Sequence, residues 1–526
     1  MLKPYDFQEA DIQALLANNM TGAVVAETGA GKTVIAAEAA RRSGLPTKLI
    51  IAPQGTHKKV WRRTIGEVDE GARVQKIDST EPGKQAMSDL EWGEEGYYLM
   101  TPQTFTRWKP HHIRPDLTIV DEAHLLGNRD KAGGKALMKF SKSTGHRIPM
   151  SGTMYRNLFE NAWTIARFMH PERDGHGDIA DISANRWIDT YCRTEYDHFA
   201  PGQRKVVGEI EPGHFASLMP CWIQHFKRAE CCEFHPEGFL AHLPEPIVIR
   251  ETVELTSGQK KAITQLQRDY LSYLNIETEH WKALPLVERK RKALVVKMPV
   301  VRTLRLSQMT LAMPSIIPRP WKPKKGSTEW ELAEGWIIAE DGLTKQAVDD
   351  RKMPLWDVVF APDADSPKLD ALITIMQKVG EPIVAATNSK KFAELAVNRL
   401  KAQGLRAFEW SSSATDAARD QALEDFEAGK YDVIVGVTEA IGTGIDGLQA
   451  ASGVLVSLNK SRDLASETQL LGRLDRRGQV RTEGVIQYEI IAEGSTDEDI
   501  IDTQLARRLE LNRSLRKALT KGGSTK

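Results

Sequence analysis

Three short stretches carry residue types whose spacing could do chemistry. AETGAGKT, Ala26 to Thr33, places Thr28, Gly29, Ala30 and Gly31 ahead of Lys32 and Thr33. Glycines let backbone N–H groups close around a phosphate. A helix opening at this point adds its dipole, Lys32 supplies a point charge, and the Thr33 hydroxyl can ligate Mg²⁺. IVDEAH, Ile119 to His124, ends an apolar run in Asp121 and Glu122. Buried carboxylates are costly unless they serve a cation. Asp121 would hold Mg²⁺ through water, and Glu122 would orient and deprotonate an attacking water. The third stretch, QLLGRLDRRGQ from Gln469 to Gln479, sets Arg473, Arg476 and Arg477 close together with only Asp475 among them. Together the first two describe hydrolysis of a nucleoside triphosphate, and His124 at the same strand end would couple that site to something else.

These residues need elements to hold them. GAVVAE is a short β-branched run before the glycine loop, and VIAAEAARRSG after it is an Ala-rich helical pattern closed by Gly44. KLIIAP, LTIVDEAH and HRIPMSGT continue the theme of apolar strands alternating with helices, which predicts a parallel sheet covered on both faces. A second series starts after Pro362, with EPIVAATNS, the helical KFAELAVNRL, YDVIVGVTEA and GVLVSLN. The expected fold class is therefore α/β, with two tandem parallel-sheet units. The first spans 1–172 and the second 362–495, with a mostly helical insertion over 173–361 and a C-terminal helix and tail over 496–526. Thr496 or Asp497 is the expected cap of that last helix. ERKRK (Glu288 to Lys292) and WKPKK (Trp321 to Lys325) read as solvated charge.

Composition narrows the class. Lys plus Arg and Asp plus Glu are 71 each in 526 residues, so a nucleic-acid partner would be held by local basic grooves and not by a bulk field. Four cysteines are too few for a disulfide framework and fit a reducing compartment. No apolar run reaches membrane length, and MLKPYDFQEADIQ has no secretory apolar core, so a cytoplasmic protein with no membrane partner is expected. In CWIQHFKRAECCEFH, Cys221 and His225 at i, i+4 could share a helix face, and with Cys231, Cys232 and His235 a zinc site is conceivable, although the spacing fits no strong zinc pattern.

In order along the chain, Gln8, the loop Gly29 to Thr33, DEAH at Asp121 to His124, SGT at Ser151 to Thr153, TEAIGTGID at Thr438 to Asp446, and Gln469 to Gln479 resemble motifs Q, I, II, III, V and VI of superfamily 2 helicases. Within that superfamily, MSGTMYRNLFENAWTIARFMHP, LPEPIVIRETVELTSGQ, RTLRLSQM and SPKLDAL are similar to landmarks of the Swi/Snf-like branch of duplex-DNA translocases. Met154 stands where that branch usually has proline, and NKSRDLASE lacks its Trp-Asn-Pro.

The resemblance implies two RecA-like lobes and dependence on ATP and Mg²⁺. It implies that Gln8 reads adenine, that Gly444 and Asp446 border the nucleotide, and that Arg473 and Arg476 reach the γ-phosphate across the cleft. Ser151, Thr153 and Gln469 would couple hydrolysis to the track. Nucleic acid would cross both lobes, with Gln54, Thr56, Lys58, Thr101, Gln103, Thr387, Asn388, Thr438 and Gly442 as candidate backbone contacts. Duplex or forked DNA is the expected partner, with RNA as the alternative and a protein partner from a replication, recombination or repair system in view. The bare motor points to a bacterial or phage protein. A strand-separating helicase and a non-hydrolysing nucleic-acid scaffold are the competing functions.

Overall fold

The computed structural model describes residues 2–152, 154, 159–171, 182–196, 204–228, 237–268, 306–318, 337–338, 345–346, 356–410, 416–444, 447–461 and 463–521. Thr153, Asp446, Cys231, Cys232, His235 and both lysine-rich stretches lie outside these residues.

The first lobe is built on β1 (Ala23–Ala26), β2 (Thr47–Ile51), β3 (Val74–Ile77), β4 (Gly96–Met100), β5 (Leu117–Asp121) and β6 (His146–Ser151), with the hairpin β7 (Cys192–Tyr196) and β8 (Arg204–Glu209) beside it and β9 (Trp222–His225) completing its sheet. The sheet order is β3-β4-β2-β5-β6-β1-β9, and every pairing is parallel. Alternate residues of each strand enter two cores. Val25, Leu49, Ile51 and Tyr98 face one, whereas Val24, Ile50, Tyr97 and Leu99 face the other. A sheet covered on both faces has no solvent side, which explains the uninterrupted apolar runs.

The second lobe repeats the scheme. Its strands are β10 (Ile247–Val253), then, after the short pairs β11 (Pro314–Pro318) with β14 (Trp356–Phe360) and β12 (Ile337–Ile338) with β13 (Lys345–Gln346), β15 (Ile383–Thr387), β16 (Ala407–Trp410), β17 (Val433–Val437), β18 (Val454–Ser457) and β19 (Ile486–Ala492). The order β10-β19-β18-β15-β17-β16 is again wholly parallel. The helix Lys390–Ala402 buries Phe392, Leu395, Ala396 and Leu400, the spacing read from sequence.

The stretch expected to be a helical insertion instead contributes a strand to each sheet. Trp222–His225 pairs with β1, and Ile247–Val253 pairs with β19. Neither strand is legible locally, because β9 is short and β10 is an edge strand with exposed positions, including Ile247 and Val248. A consequence is that the i, i+4 helical pairing of Cys221 and His225 does not exist. His225 lies on a strand and its Nε2 is 2.7 Å from Oδ2 of Asp11. Among the described residues no group of three His, Cys, Asp or Glu side chains is placed to hold a metal ion.

The last helix runs Thr496–Lys521 and packs back onto β8 and the helix His214–Ser217. Its cap is Ser495, whose Oγ accepts from the Asp497 amide at 3.2 Å, because Asp497 is drawn inward to the buried Lys368. Among the described residues no helix is long and apolar enough to cross a membrane.

Candidate functional site

The cleft between the lobes is assembled from the ends of parallel strands, where α/β sheets gather ligand-binding groups. β1 delivers the glycine loop, and the helix Lys32–Arg42 begins at its end. Gly29 and Gly31 sit at φ +97° and +80°. These left-handed conformations turn the backbone so that its N–H groups line the loop. A Cβ on Gly31 would stand 2.3 Å from Nε2 of Gln8. Gln8 is buried; its Oε1 accepts from the Tyr5 amide at 3.0 Å and its Nε2 donates to the Ala30 carbonyl at 3.2 Å. The Lys32 ammonium donates to the Ala26 carbonyl at 2.6 Å. Burial lowers its pKa, opposed by the charges of Glu122 and Asp121 and assisted by Arg473.

β5 ends in Asp121, whose Oδ1 accepts from the Glu122 amide and whose Oδ2 accepts from the Trp61 indole, both at 3.0 Å. Burial first, and then the neighbouring Glu122, push Asp121 up to about 6. Glu122 takes φ +50°, a left-handed backbone conformation uncommon for a residue other than glycine. From β6, Ser151 Oγ donates to Glu122 Oε2 at 3.2 Å and lies 2.8 Å from Nδ1 of His124. The structure therefore brings Asp121, Glu122, His124 and Ser151 into one connected group beside Lys32.

The second lobe closes the cleft with the helix Leu464–Leu471 and the turn after it. Gly472 packs against the first lobe so tightly that a Cβ there would lie 3.0 Å from the Thr28 side chain. A Cβ on Gly29 would lie 3.7 Å from that of Arg476. Arg473 Nε donates to the Gly442 carbonyl at 2.7 Å, which ties this segment to the helix Thr438–Gly444. Arg477 lies over the Tyr5 ring, 4.6 Å from its centroid. A small pocket is lined by Glu27, Thr28, Glu122, Gly152, Lys227, Thr468 and Gln469, from both lobes. Beside this pocket Lys32 feels the charges of Glu122, Asp121 and Arg473, and Arg476 stands against Gly29, so a glycine loop, a lysine, two carboxylates and two arginines converge, a set whose charges complement a triphosphate and its cation.

The proposed track residues divide. Gln54 and Lys58 are exposed and Thr56 is partly so, as the segment passes from the helix Gln54–Thr56 into a π-helical turn over His57–Arg62. Gln103 is exposed. Thr101 is buried as a helix cap, its Oγ1 accepting from the Thr104 amide at 3.0 Å. Thr387 is buried and donates to Asn459 Oδ1 at 3.1 Å, an oxygen that also receives the Asn388 amide. The Thr438 hydroxyl is buried without a hydrogen-bond partner among the described residues. Gly442 lies against the Leu464–Leu471 helix, and the helix Thr438–Gly444 touches Gln54–Thr56 across the cleft.

Sequence reasoning missed Trp61, Lys227 and Arg228. Trp61 reads as an ordinary core tryptophan, and only the fold shows its N–H on Asp121. The two cations after β9 carry no local signal of a role, yet they reach Asp475 of the second lobe.

Comparison with known proteins matches these two lobes separately. Residues 1–156 match the family described as type III restriction enzyme, res subunit, and residues 367–478 match the helicase conserved C-terminal domain. The chain is 27% identical over 135 residues to UvrABC system protein B of Synechococcus sp., covering 26% of this chain and 19% of that protein. It is 22% identical over 225 residues to helicase swr-1 of Neurospora crassa, covering 40% of this chain and 12% of that protein. The chain thus spans a fifth or less of the length of these two relatives. A solved structure, the Sulfolobus solfataricus SWI2/SNF2 ATPase core in complex with dsDNA, aligns over 100% of this chain and 97% of its own at 17% identity with a TM-score of 0.36. With a helicase-family match on each lobe and a phosphate loop, acidic strand end and arginine segment meeting in one cleft, the chain belongs to the superfamily 2 helicases and ATPases.

Proposed function

We propose that the protein is an ATP- and Mg²⁺-dependent motor of the Swi/Snf-like type that translocates on duplex DNA. The observation that carries this reading is the approach of the second lobe's arginine segment to the first lobe's glycine loop, Arg476 against Gly29 and Gly472 against Thr28. Hydrolysis then depends on lobe closure, and coupling of closure to hydrolysis is what moves a motor.

In this reading Lys32 and the N–H groups of Thr28 to Gly31 bind the phosphates, and Gln8 faces the base. Thr33 and Asp121, the latter through water, would hold Mg²⁺, which when bound neutralises phosphate charge. Glu122 orients the attacking water and takes its proton, while Ser151 and His124 hold the Glu122 carboxylate in place. Arg473 and Arg476 meet the charge that develops on the γ-phosphate. Gly444 and Asp446 border the nucleotide, and Thr153 and Gln469 complete the coupling set. Gln54, Thr56, Lys58, Gln103 and Asn388 contact the phosphate backbone, whereas Thr101 and Thr387, buried and hydrogen-bonded, shape the turns that present them. Thr438 and Gly442 carry the signal from that track to Arg473 through the Gly442 carbonyl.

The test is steady-state ATP hydrolysis by the purified protein, alone and with duplex, single-stranded or forked DNA or RNA, at low and high salt. Stimulation by duplex that salt removes, together with displacement of a triplex-forming strand and no unwinding of a fork, is expected. Preferential stimulation by forks or RNA with strand separation would replace the translocase by a helicase. Absence of ATP hydrolysis under every condition would refute the motor.

A further inference from the structure

The cations Lys227 and Arg228 follow the last strand of the first sheet and leave their own lobe. Lys227 Nζ donates to the Asp475 backbone carbonyl at 2.5 Å and to its Oδ2 at 3.1 Å. Arg228 grips the same carboxylate with both terminal nitrogens, Nη1 to Oδ2 at 2.9 Å and Nη2 to Oδ1 at 2.5 Å. Asp475 is the one acid among the arginines of its segment, two residues after Arg473 and one before Arg476. Lys227 and Asp475 are only 8% and 5% exposed, so this is a desolvated contact and not a surface pair.

Both cations are rigidly backed. The Lys227 amide donates to Glu27 Oε2 at 2.5 Å, and its carbonyl accepts from Leu240 at 2.8 Å. Arg228 also donates to the Leu243 and Pro244 carbonyls at 3.0 and 2.9 Å. Gly238, at φ +98°, lets the backbone pass where a Cβ would come within 2.3 Å of the Lys227 carbonyl oxygen. Phe239 and Leu240 pack against Ala26 and Ala30 of the glycine loop. Glu27 thus holds the Lys227 backbone and its charge favours the Lys227 ammonium, while Lys227 and Arg228 hold Asp475, so the start of that loop is linked to the arginine segment.

A buried ion cluster adds little net stability compared with an apolar contact, but it fixes one register because any other leaves charges unpaired. Register matters here. Arg473 repels Lys32 across the cleft, so the arginine segment needs an attraction of its own to stay beside the glycine loop. We propose that Lys227 and Arg228 are positioning residues for hydrolysis, gripping Asp475 so that Arg473 and Arg476 are held in register against the first lobe before the nucleotide supplies its own charge. The inference rests on the reading of those two arginines as the groups that meet the γ-phosphate.

The experiment uses the full chain and the variants Asp475→Asn, Arg228→Gln and the double variant, each checked by circular dichroism for an unchanged melting profile. Lys227→Met serves if an Arg228 or Asp475 variant fails to fold. DNA-stimulated kcat is expected to fall by about 100-fold, the scale of a 1 Å misplacement, with the KM for ATP unchanged. The double variant should be no worse than the poorer single one, since both remove one contact. Unchanged kcat, losses that multiply, or a loss confined to KM would overturn the positioning role. A second arm needs no activity: small-angle scattering of the nucleotide-free protein should give a larger radius of gyration for Asp475→Asn than for the parent. An unchanged radius would overturn the clamp, whereas an inactive parent with a responsive radius would refute the motor and leave the clamp standing.

Discussion

The indole N–H of Trp61 donates to Oδ2 of Asp121 at 3.0 Å, with the tryptophan fully buried. Trp61 closes the π-helical turn that begins just after Gln54–Thr56, so one short segment runs from the proposed DNA track to the carboxylate proposed to hold the metal. Irregular helical turns of this kind gather at functional sites. Trp61→Phe keeps an aromatic ring, smaller than the indole, and removes the donor, which should cost about 1–3 kcal/mol of stability and weaken Mg²⁺ dependence of hydrolysis. Trp61→Ala should cost about 3–5 kcal/mol, and comparing the two by denaturant unfolding and Mg²⁺ titration separates the hydrogen bond from the packing.

Arg473→Ala and Arg476→Ala should each reduce kcat by about 10³-fold or more, while binding of duplex DNA measured by anisotropy stays near the parent value. Retention of full stimulated ATPase activity in either variant would remove that arginine from the chemistry.

Gly31→Ala places a side chain at φ +80° and drives it into Gln8, so two effects should coincide. The backbone conformation costs about 1–2 kcal/mol, seen in thermal unfolding, and displacement of Gln8 raises the KM for ATP more than it lowers kcat. Gly71→Ala, at a similar φ of +82° with nothing near its Cβ, supplies the backbone cost alone.

Lys368 is fully buried, with Nζ 2.5 Å from Asp497 Oδ2 and 2.7 Å from the Leu458 carbonyl, and this pair pins the last helix to the second sheet. Lys368→Met leaves Asp497 buried without its cation and should cost about 3–5 kcal/mol of second-lobe stability in urea unfolding. Adding Asp497→Leu should recover much of that loss, because no buried charge then remains.

Burial, and secondarily the charge of Asp11, push the Cys221 thiol from 9.0 up to about 11. Its thiolate is disfavoured in the folded chain, so this contribution to stability is complete below pH 9 and is lost as pH rises through about 11. In a Cys231→Ser/Cys232→Ser background, the remaining thiols, Cys192 and Cys221, are both buried. A chromogenic thiol reagent at pH 8 should react with neither until the protein unfolds.

Local order wrote much of this protein into its sequence. The glycines and Lys32 of the phosphate loop, the apolar runs of β1, β5, β15 and β17, and the carboxylates at the end of β5 are contiguous features, governed by backbone sterics and by the periods of strand and helix, and they appear where expected. The order of the motifs likewise identified two lobes and the superfamily. Tertiary structure alone decided the rest, because the deciding partners are far apart in the chain. β9 is too short to declare a strand and β10 is an edge strand with no clean apolar face, and each is fixed by a parallel neighbour from elsewhere. Trp61 meets Asp121 across 60 positions, and Arg228 meets Asp475 across 247. Hydrogen bonding and desolvation act on distance in space, so only the fold makes Trp61 a carboxylate's donor and brings Lys227 and Arg228 onto Asp475 of the arginine segment.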